Sequence, residues 1–403
     1  MSIFRELPPT AGWPLTLKSL SLPVFKKYPK GIFEEDFKNK LQASSCLLTY
    51  SGTAAFFLIL ETLKKISDKK TVIIPGFVCP LIPLAIRRAG LNIKVCDING
   101  FDFNFDTDKL KDMANDKDTL AILAVHLAGL PLDFDSIKEI AHSSGAFIIE
   151  DCAQSLGAKY SQKFTGSLGD FSFFSFCRGK GLTIYEGGMA VANRPQDASF
   201  LKETYQKIMP ENRASEGLKI AELFAYSIFY RPGLFWFAFK LPQKFWTLLN
   251  KPLRAMGEDF GLDFPLHKVS GFRELIGHFN FPLLDSHIKE QTLKAGIYLQ
   301  GLKDTPRIRP INPLAKTQPS YPFLTIILEN KQERNLALSR TCGLGASIVY
   351  MHAITDYGYL KNIVPPADCP NSRAFAEKTM TLTTSCFLKP EEQKNIVKKL
   401  KGI

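Results

Sequence analysis

The sequence predicts an α/β fold with a mostly parallel sheet, followed by a smaller α+β region, and three observations predict it. Short apolar runs at Thr71–Pro75, Ile93–Asp97, Leu120–Val125 and Ala146–Ile149 alternate with stretches long enough to be crossover helices. Polar or turn-forming residues close these runs, so Ser51, Phe77, His126 and Asp151 all fall at strand C-termini, where parallel sheets gather their ligands. After residue 270 the rhythm changes to a long helix at Asp285–Leu302, a strand at Tyr321–Leu328, a helix at Gln332–Cys342, a strand at Gly345–Tyr350 and a closing helix at Pro390–Leu400.

Composition bounds the function. A chain of 403 residues with 45% hydrophobic content buries a large core, and its formal net charge of +12 favours an anionic partner: nucleic acid, a phosphorylated sugar nucleotide or an acidic membrane face. Eight cysteines without a CxxC pair (Cys46, Cys79, Cys96, Cys152, Cys177, Cys342, Cys369 and Cys386) argue against a zinc site and a disulfide framework. No metal is expected, and reduced thiols fit a cytoplasmic protein. The first residues, with an early Glu6 and several prolines, lack the apolar core of a signal peptide.

In chain order, residues 1–40 form a basic, proline-bearing arm (Lys18, Lys26, Lys27, Lys30) with a short helix at Ile32–Leu41. Leu47–Thr49 then turns through Ser51-Gly52-Thr53 into the apolar helix Ala54–Lys64. Such a turn leaves backbone N–H groups free at a helix N-terminus, where a phosphate binds; an ordinary cap by Ser51 or Thr53 is the alternative. The helix mouth Gly76–Pro80 follows the second strand, Asp106–Met113 and Phe134–Ser143 supply further helices, and Phe171–Phe176 forms a strand that delivers Lys180 into a glycine-rich turn.

The stretch from Gly145 to Asn193 carries the most specific pattern. Glu150-Asp151-Cys152-Ala153-Gln154 is followed by Gly169-Asp170, Phe174-Ser175-Phe176, Lys180 four residues after Phe176, and Glu186-Gly187-Gly188. Several spaced matches in one order resemble the DegT/StrS family of pyridoxal phosphate-dependent sugar aminotransferases, closely over about residues 45–195 and in outline beyond. The resemblance implies a fold type I pyridoxal phosphate (PLP) enzyme, a homodimer with active sites at the subunit interface. Such chemistry needs a lysine amine to carry the cofactor and move protons, and a buried carboxylate to keep the pyridine nitrogen protonated; Lys180 and Asp151 are the candidates. Gly52, Thr53, Gln154 and Ser175 carry over as further cofactor contacts. Taken singly, a surface Asp and a surface Lys are the bland alternative.

Two departures follow from the same resemblance. The family's ring-stacking aromatic falls at Cys79, so Phe77 is the candidate for stacking on the cofactor, or plain core. The family's NxRxS element corresponds to Leu266-His267-Lys268-Val269-Ser270, so Lys268 is the candidate cross-subunit phosphate contact. His126 resembles a pocket-lining position and is given no catalytic role. Tyr350 and His352 lie in a stretch that contacts substrate in the family, without an assigned role.

Residues 221–246 hold ten aromatics, interrupted by Pro232 and Pro242 and joined by Lys240 and Lys244. Too broken to span a membrane, the segment reads as a helical hairpin in the dimer or as an interfacial element at lipid head groups. The expected organisation is an arm and PLP-binding large domain (1–200), an aromatic helical insertion (201–270) and a small domain (271–403). The implied reaction moves an amino group from an amino acid, commonly glutamate, to a keto-sugar, often nucleotide-linked, in surface-polysaccharide or secondary-metabolite biosynthesis. A lipid or lipid-linked keto substrate and a non-enzymatic scaffold stay open; a sugar dehydratase, which in this family has histidine in place of the lysine, is disfavoured by Lys180. The location expected is cytoplasmic, with a peripheral membrane contact through 221–246 as the alternative, and no nucleic acid is expected as a partner.

Overall fold

The computed structural model describes residues 5–16, 19–21 and 28–403; the arm lysines Lys18, Lys26 and Lys27 lie outside them. Its centre is a seven-stranded sheet made of β1 (Ser45–Thr49), β2 (Thr71–Pro75), β3 (Asn92–Cys96), β4 (Thr119–Val125), β5 (Phe147–Asp151), β6 (Phe171–Ser175) and β7 (Gly188–Ala192). The spatial order is β1-β7-β6-β5-β4-β2-β3. Strands β2 to β6 pair in parallel, while β7 runs antiparallel to both neighbours, β1 and β6. Six C-terminal ends therefore open on one edge of the sheet.

Burial on both faces explains why the central strands read as continuous apolar runs: every residue of β4 is buried. Helix Gly52–Ile66 buries Phe56, Leu58, Ile59 and Leu60 completely between the sheet and the neighbouring helices Leu81–Arg88 and Pro195–Ile208. Each such side chain contributes roughly 1.5–3 kcal/mol, so this helix is fixed by packing and its N-terminus is held at the sheet edge.

A second sheet of three antiparallel strands, Ile308–Pro310, Phe323–Leu328 and Thr379–Thr383, packs beyond the long helix Leu284–Leu302. The strand expected at Gly345–Tyr350 does not form. Only a single bridge, Ser347 to Thr381, remains there, and Thr379–Thr383 takes its place in the sheet. Gly345, the first residue of the expected strand, adopts φ of +74°, outside the extended region, and a Cβ on it would sit 2.5 Å from Thr383 Cγ2.

The aromatic insertion is helical. Helix Arg213–Phe229 ends before Pro232, which starts Pro232–Phe235; a π-helical turn, Trp236–Lys240, then leads into Leu241–Leu248, and Pro252–Met256 follows. Pro242 does not interrupt this run, because it occupies the first turn of Leu241–Leu248 beside the widened π turn, where its missing N–H costs least. Among the described residues no helix is long and apolar enough to cross a membrane. Helix Pro195–Ile208 runs across residue 200, and Gly271–Asn280 begins after Ser270.

One buried ion pair ties the insertion to the loop after Lys180. Arg273, fully buried, donates from Nε and Nη2 to Glu216 at 2.9 and 2.5 Å, and from Nη1 to the carbonyls of Ile184 and Glu186. Removing one partner leaves an uncompensated buried charge. Arg273→Ala is expected to lose about 3–5 kcal/mol of stability in urea denaturation, and the double change Arg273→Met with Glu216→Leu clearly less.

Candidate active site

Successive residues of a strand face opposite sides, and the end of β5 uses this to separate two carboxylates. Glu150, fully buried, faces inward: its Oε1 accepts from Leu168 N and Gly169 N at 2.7 and 2.8 Å, and its Oε2 from Gly166 N at 2.7 Å. His126 Nε2 lies 3.0 Å from the same Oε2, while its Nδ1 accepts the Leu132 N–H at 3.2 Å. That backbone donor requires an unprotonated Nδ1, which assigns the proton to Nε2 and makes His126 a neutral donor to Glu150. Both ring nitrogens are occupied, so His126 is held for structure while its ring lines the cavity above.

Asp151 faces that cavity. Its Oδ1 accepts from Ala153 N at 2.9 Å, and burial pushes its carboxyl up to about 6 against the opposing effects of that hydrogen bond and the Lys180 charge. Gln154 is held by accepting the Ala128 N–H at Oε1, 2.9 Å, and its Nε2 stands 3.5 Å from the Tyr350 hydroxyl. On the opposite wall Ser51 caps helix Gly52–Ile66 by accepting from Ala54 N at 3.1 Å. The Gly52 and Thr53 N–H groups stand before that bond, in the turn that leaves backbone donors without an intrahelical acceptor. Backbones approach closely here: a Cβ on Gly188 would lie 2.3 Å from the Ser51 carbonyl oxygen, and one on Gly52 3.0 Å from Ser175 Cβ.

All six expected cofactor contacts, Gly52, Thr53, Asp151, Gln154, Ser175 and Lys180, line one cavity of about 190 Å³. A second chamber of about 250 Å³ adjoins it, sharing Gln154, Ser175 and Lys180 and walled on its far side by Phe239 and Met256 of the insertion. The pair forms an inner compartment with an acidic, a basic and a phosphate-ready group, and an outer vestibule. A buried carboxylate with a single hydrogen bond among the described residues, facing a lysine and an open helix N-terminus, fits a cationic ring that carries a phosphate.

Phe77 and Lys268 do not line this cavity, and for Lys268 the expectation concerns the site of a partner subunit. Phe77 is fully buried and is absent from the cavity wall; it lies parallel to Phe103 at 6.2 Å and edge-on to Phe375 and Tyr350. It is core, and the group its loop presents to the cavity is Cys79. Lys268 stands in a separate groove with Lys30, Glu34 and Tyr205, its Nζ 5.3 Å from the Tyr205 ring, and does not reach the cavity of its own chain. His352 packs edge-on to Tyr357.

The cavity also contains residues that carried no assignment: Cys79, Cys177, Glu186 and Tyr350. Burial pushes both thiols up to about 12, so neither is a nucleophile near neutral pH. Glu186 is part of the Glu-Gly-Gly turn, a signal available in the sequence. Tyr350 is marked in the sequence only as part of a stretch that contacts substrate in the family, and that stretch, expected as a strand, is irregular.

The chain matches the model of the DegT/DnrJ/EryC1/StrS aminotransferase family over residues 27–212 and 254–401. It is 35% identical over 168 residues to GDP-perosamine synthase of Escherichia coli O157:H7, covering 41% of this chain and 46% of that protein. It is 33% identical over 166 residues to GDP-4-keto-6-deoxy-D-mannose 3-dehydratase of Yersinia pseudotuberculosis, covering 40% and 42%. The chain thus matches less than half the length of these curated relatives. The PLP-form of Spr1654 from Streptococcus pneumoniae superposes with a TM-score of 0.74 over 98% of both chains at 20% identity, which is agreement of fold. With the matched segments covering both the seven-stranded sheet and the small sheet, the chain belongs to the DegT/DnrJ/EryC1/StrS aminotransferase family.

Proposed function

We propose that this chain is a PLP-dependent aminotransferase that moves an amino group from an amino acid, glutamate being the expected donor, to the keto group of a nucleotide-linked sugar. The observation that carries the reading is the single cavity shared by Asp151, Lys180 and the open N-terminus of helix Gly52–Ile66. Gly52, Thr53 and Ser175 would hold the phosphate, Asp151 the ring nitrogen and Gln154 the ring's edge, with Lys180 Nζ as the attachment point. Once bound, PLP supplies the electron sink that allows nitrogen to pass from donor to acceptor.

Each residue then has a task set by its surroundings. Asp151 accepts one backbone hydrogen bond and keeps acceptor capacity for a protonated nitrogen, which stabilises its charge in a site that otherwise penalises it. Lys180 Nζ, on a flexible stem at the junction of the two chambers, takes a proton from one carbon and returns it to another. The flat side chains left to contact a ring are His126, Phe173 and Tyr350, since Phe77 is core. Lys268, outside the cavity of its own chain, would contact the phosphate at the site of a second copy in a homodimer.

Among the relatives is a 3-dehydratase, and the family's dehydratases, as the resemblance has it, replace the lysine by histidine. Lys180 favours amino transfer. A visible cofactor band that glutamate bleaches, absent in Lys180→Ala, is the expected spectrum; transfer in the variant should fall by at least about a thousandfold. No band after addition of PLP would refute the cofactor assignment.

A second prediction follows from Asp151. Its folded pKa lies above the ordinary aspartate value, so the cofactor-free protein is unpenalised below about pH 4 and loses stability as pH rises through about 6. The full cost is roughly 3 kcal/mol. Cofactor-free Asp151→Asn should therefore melt higher than cofactor-free wild type near pH 8, while binding PLP at least about tenfold more weakly. Thermal melts with and without PLP read both signs.

A further inference from the structure

We propose that residues 223–256 are a docking element for an anionic lipid surface, set beside the vestibule that leads to Lys180. The family model leaves 213–253 uncovered, so the element is an addition to the shared fold. From Leu223 to Met256 the chain carries Arg231, Lys240, Lys244, Lys251 and Arg254 and no acidic residue.

The inner side of the element is anchored. Tyr226 and Tyr230 donate from their hydroxyls to the carbonyls of Trp13 and Thr10 at 3.0 and 3.3 Å, and Phe235 is buried between Tyr230 and Phe239. Its outer side presents Leu234, Leu241, Phe245 and Leu248, which are 38%, 47%, 54% and 83% exposed. Steps of four and three residues place Leu241, Phe245 and Leu248 on one stripe of helix Leu241–Leu248, and Leu234 is exposed ahead of the π turn. Phe224 and Ile228, four apart on helix Arg213–Phe229, are exposed as well.

Cations flank the stripe. A hollow of about 380 Å³ is lined by Lys240, Lys244, Lys399 and Arg5 together with Glu6 and Glu392. Arg5 pairs with Glu392 at 2.8 Å, and the Lys240 and Lys244 charges oppose the burial that pushes the Glu6 carboxyl up, so four cations face two carboxylates. Lys251 and Arg254 lie 5.7 and 5.3 Å from the Trp246 ring, and Lys244 lies 5.7 Å from that of Trp236. Apolar side chains that enter the acyl boundary, indoles at head-group depth and cations that meet lipid phosphates are what an interfacial helix needs.

A second copy is the competing occupant. A two-fold interface opposes a patch to itself, and although Arg254 pairs with Asp259 at 2.6 Å, the remaining cations of the segment would meet their own charge. An anionic bilayer complements both the charge and the apolar stripe. Because Phe239 and Met256 of this element wall the vestibule, docking holds the aminotransferase site close to the lipid surface. This last consequence rests on the aminotransferase reading; docking itself does not.

Flotation of the PLP-loaded protein with vesicles tests it. Binding is expected to phosphatidylcholine vesicles containing phosphatidylglycerol and not to phosphatidylcholine alone, with release at about 1 M salt, where charges are screened within ~3 Å. Lys240→Glu with Lys244→Glu should weaken binding by more than about tenfold, given roughly fivefold per cation. Leu241→Ser, Phe245→Ser and Leu248→Ser together should abolish flotation and leave bleaching by glutamate unchanged. Absence of flotation with anionic vesicles would overturn the proposal, as would a stripe variant that falls from dimer to monomer in sedimentation velocity. A protein that floats but forms no cofactor band would retain the docking and refute the enzymatic reading instead.

Discussion

The site depends on how one strand end disposes of two adjacent carboxylates. Glu150 is enclosed by three backbone N–H donors and a neutral histidine, which fastens the 166–169 loop and the end of β4 to β5. With those bonds made, Asp151 has no inward role and projects to the other side, beneath Lys180. Burial penalises the ionised carboxylate, and the one hydrogen bond it accepts, from Ala153 N, leaves it acceptor capacity facing the cavity. The same strand end thus supplies rigidity through Glu150 and chemistry through Asp151.

A second restraint acts on the lysine loop. Residues 177–187 are irregular, and they are held from outside by Arg273, whose guanidinium joins the Ile184 and Glu186 carbonyls to Glu216 at the start of the insertion. The insertion is therefore coupled to the loop that carries Lys180 as well as to the vestibule wall. Its outer face bears the charge and apolar exposure of a surface element, while its inner tyrosines and Phe235 pack into the core that includes Phe174 and Phe176.

Much of this was legible in the sequence, for physical reasons. The parallel strands read well because burial on both faces leaves uninterrupted apolar runs, and β2 begins and ends as expected. The residues expected at the cofactor come together in one cavity because they sit at strand ends and in glycine turns, where spacing is fixed by the backbone. The sequence leaves Phe77 open between ring stacking and core, and its side chain turns inward to Phe103 and Phe375, a choice made by packing that no local pattern encodes. The strand at Gly345–Tyr350 is reduced to one bridge behind a left-handed Gly345, and Thr379–Thr383 was overlooked because alternating threonines give a weak apolar signal although all five residues are buried. Pro242 looked like a break and is absorbed by a π turn.

The central claim is that the amine of Lys180, and no other, carries the cofactor opposite Asp151. Borohydride reduction of the PLP-loaded protein, followed by peptide mass mapping, tests it most directly, because reduction fixes the cofactor to whichever amine holds it. The account predicts a single modified peptide containing Lys180. Modification at another lysine, or none at all, would contradict it.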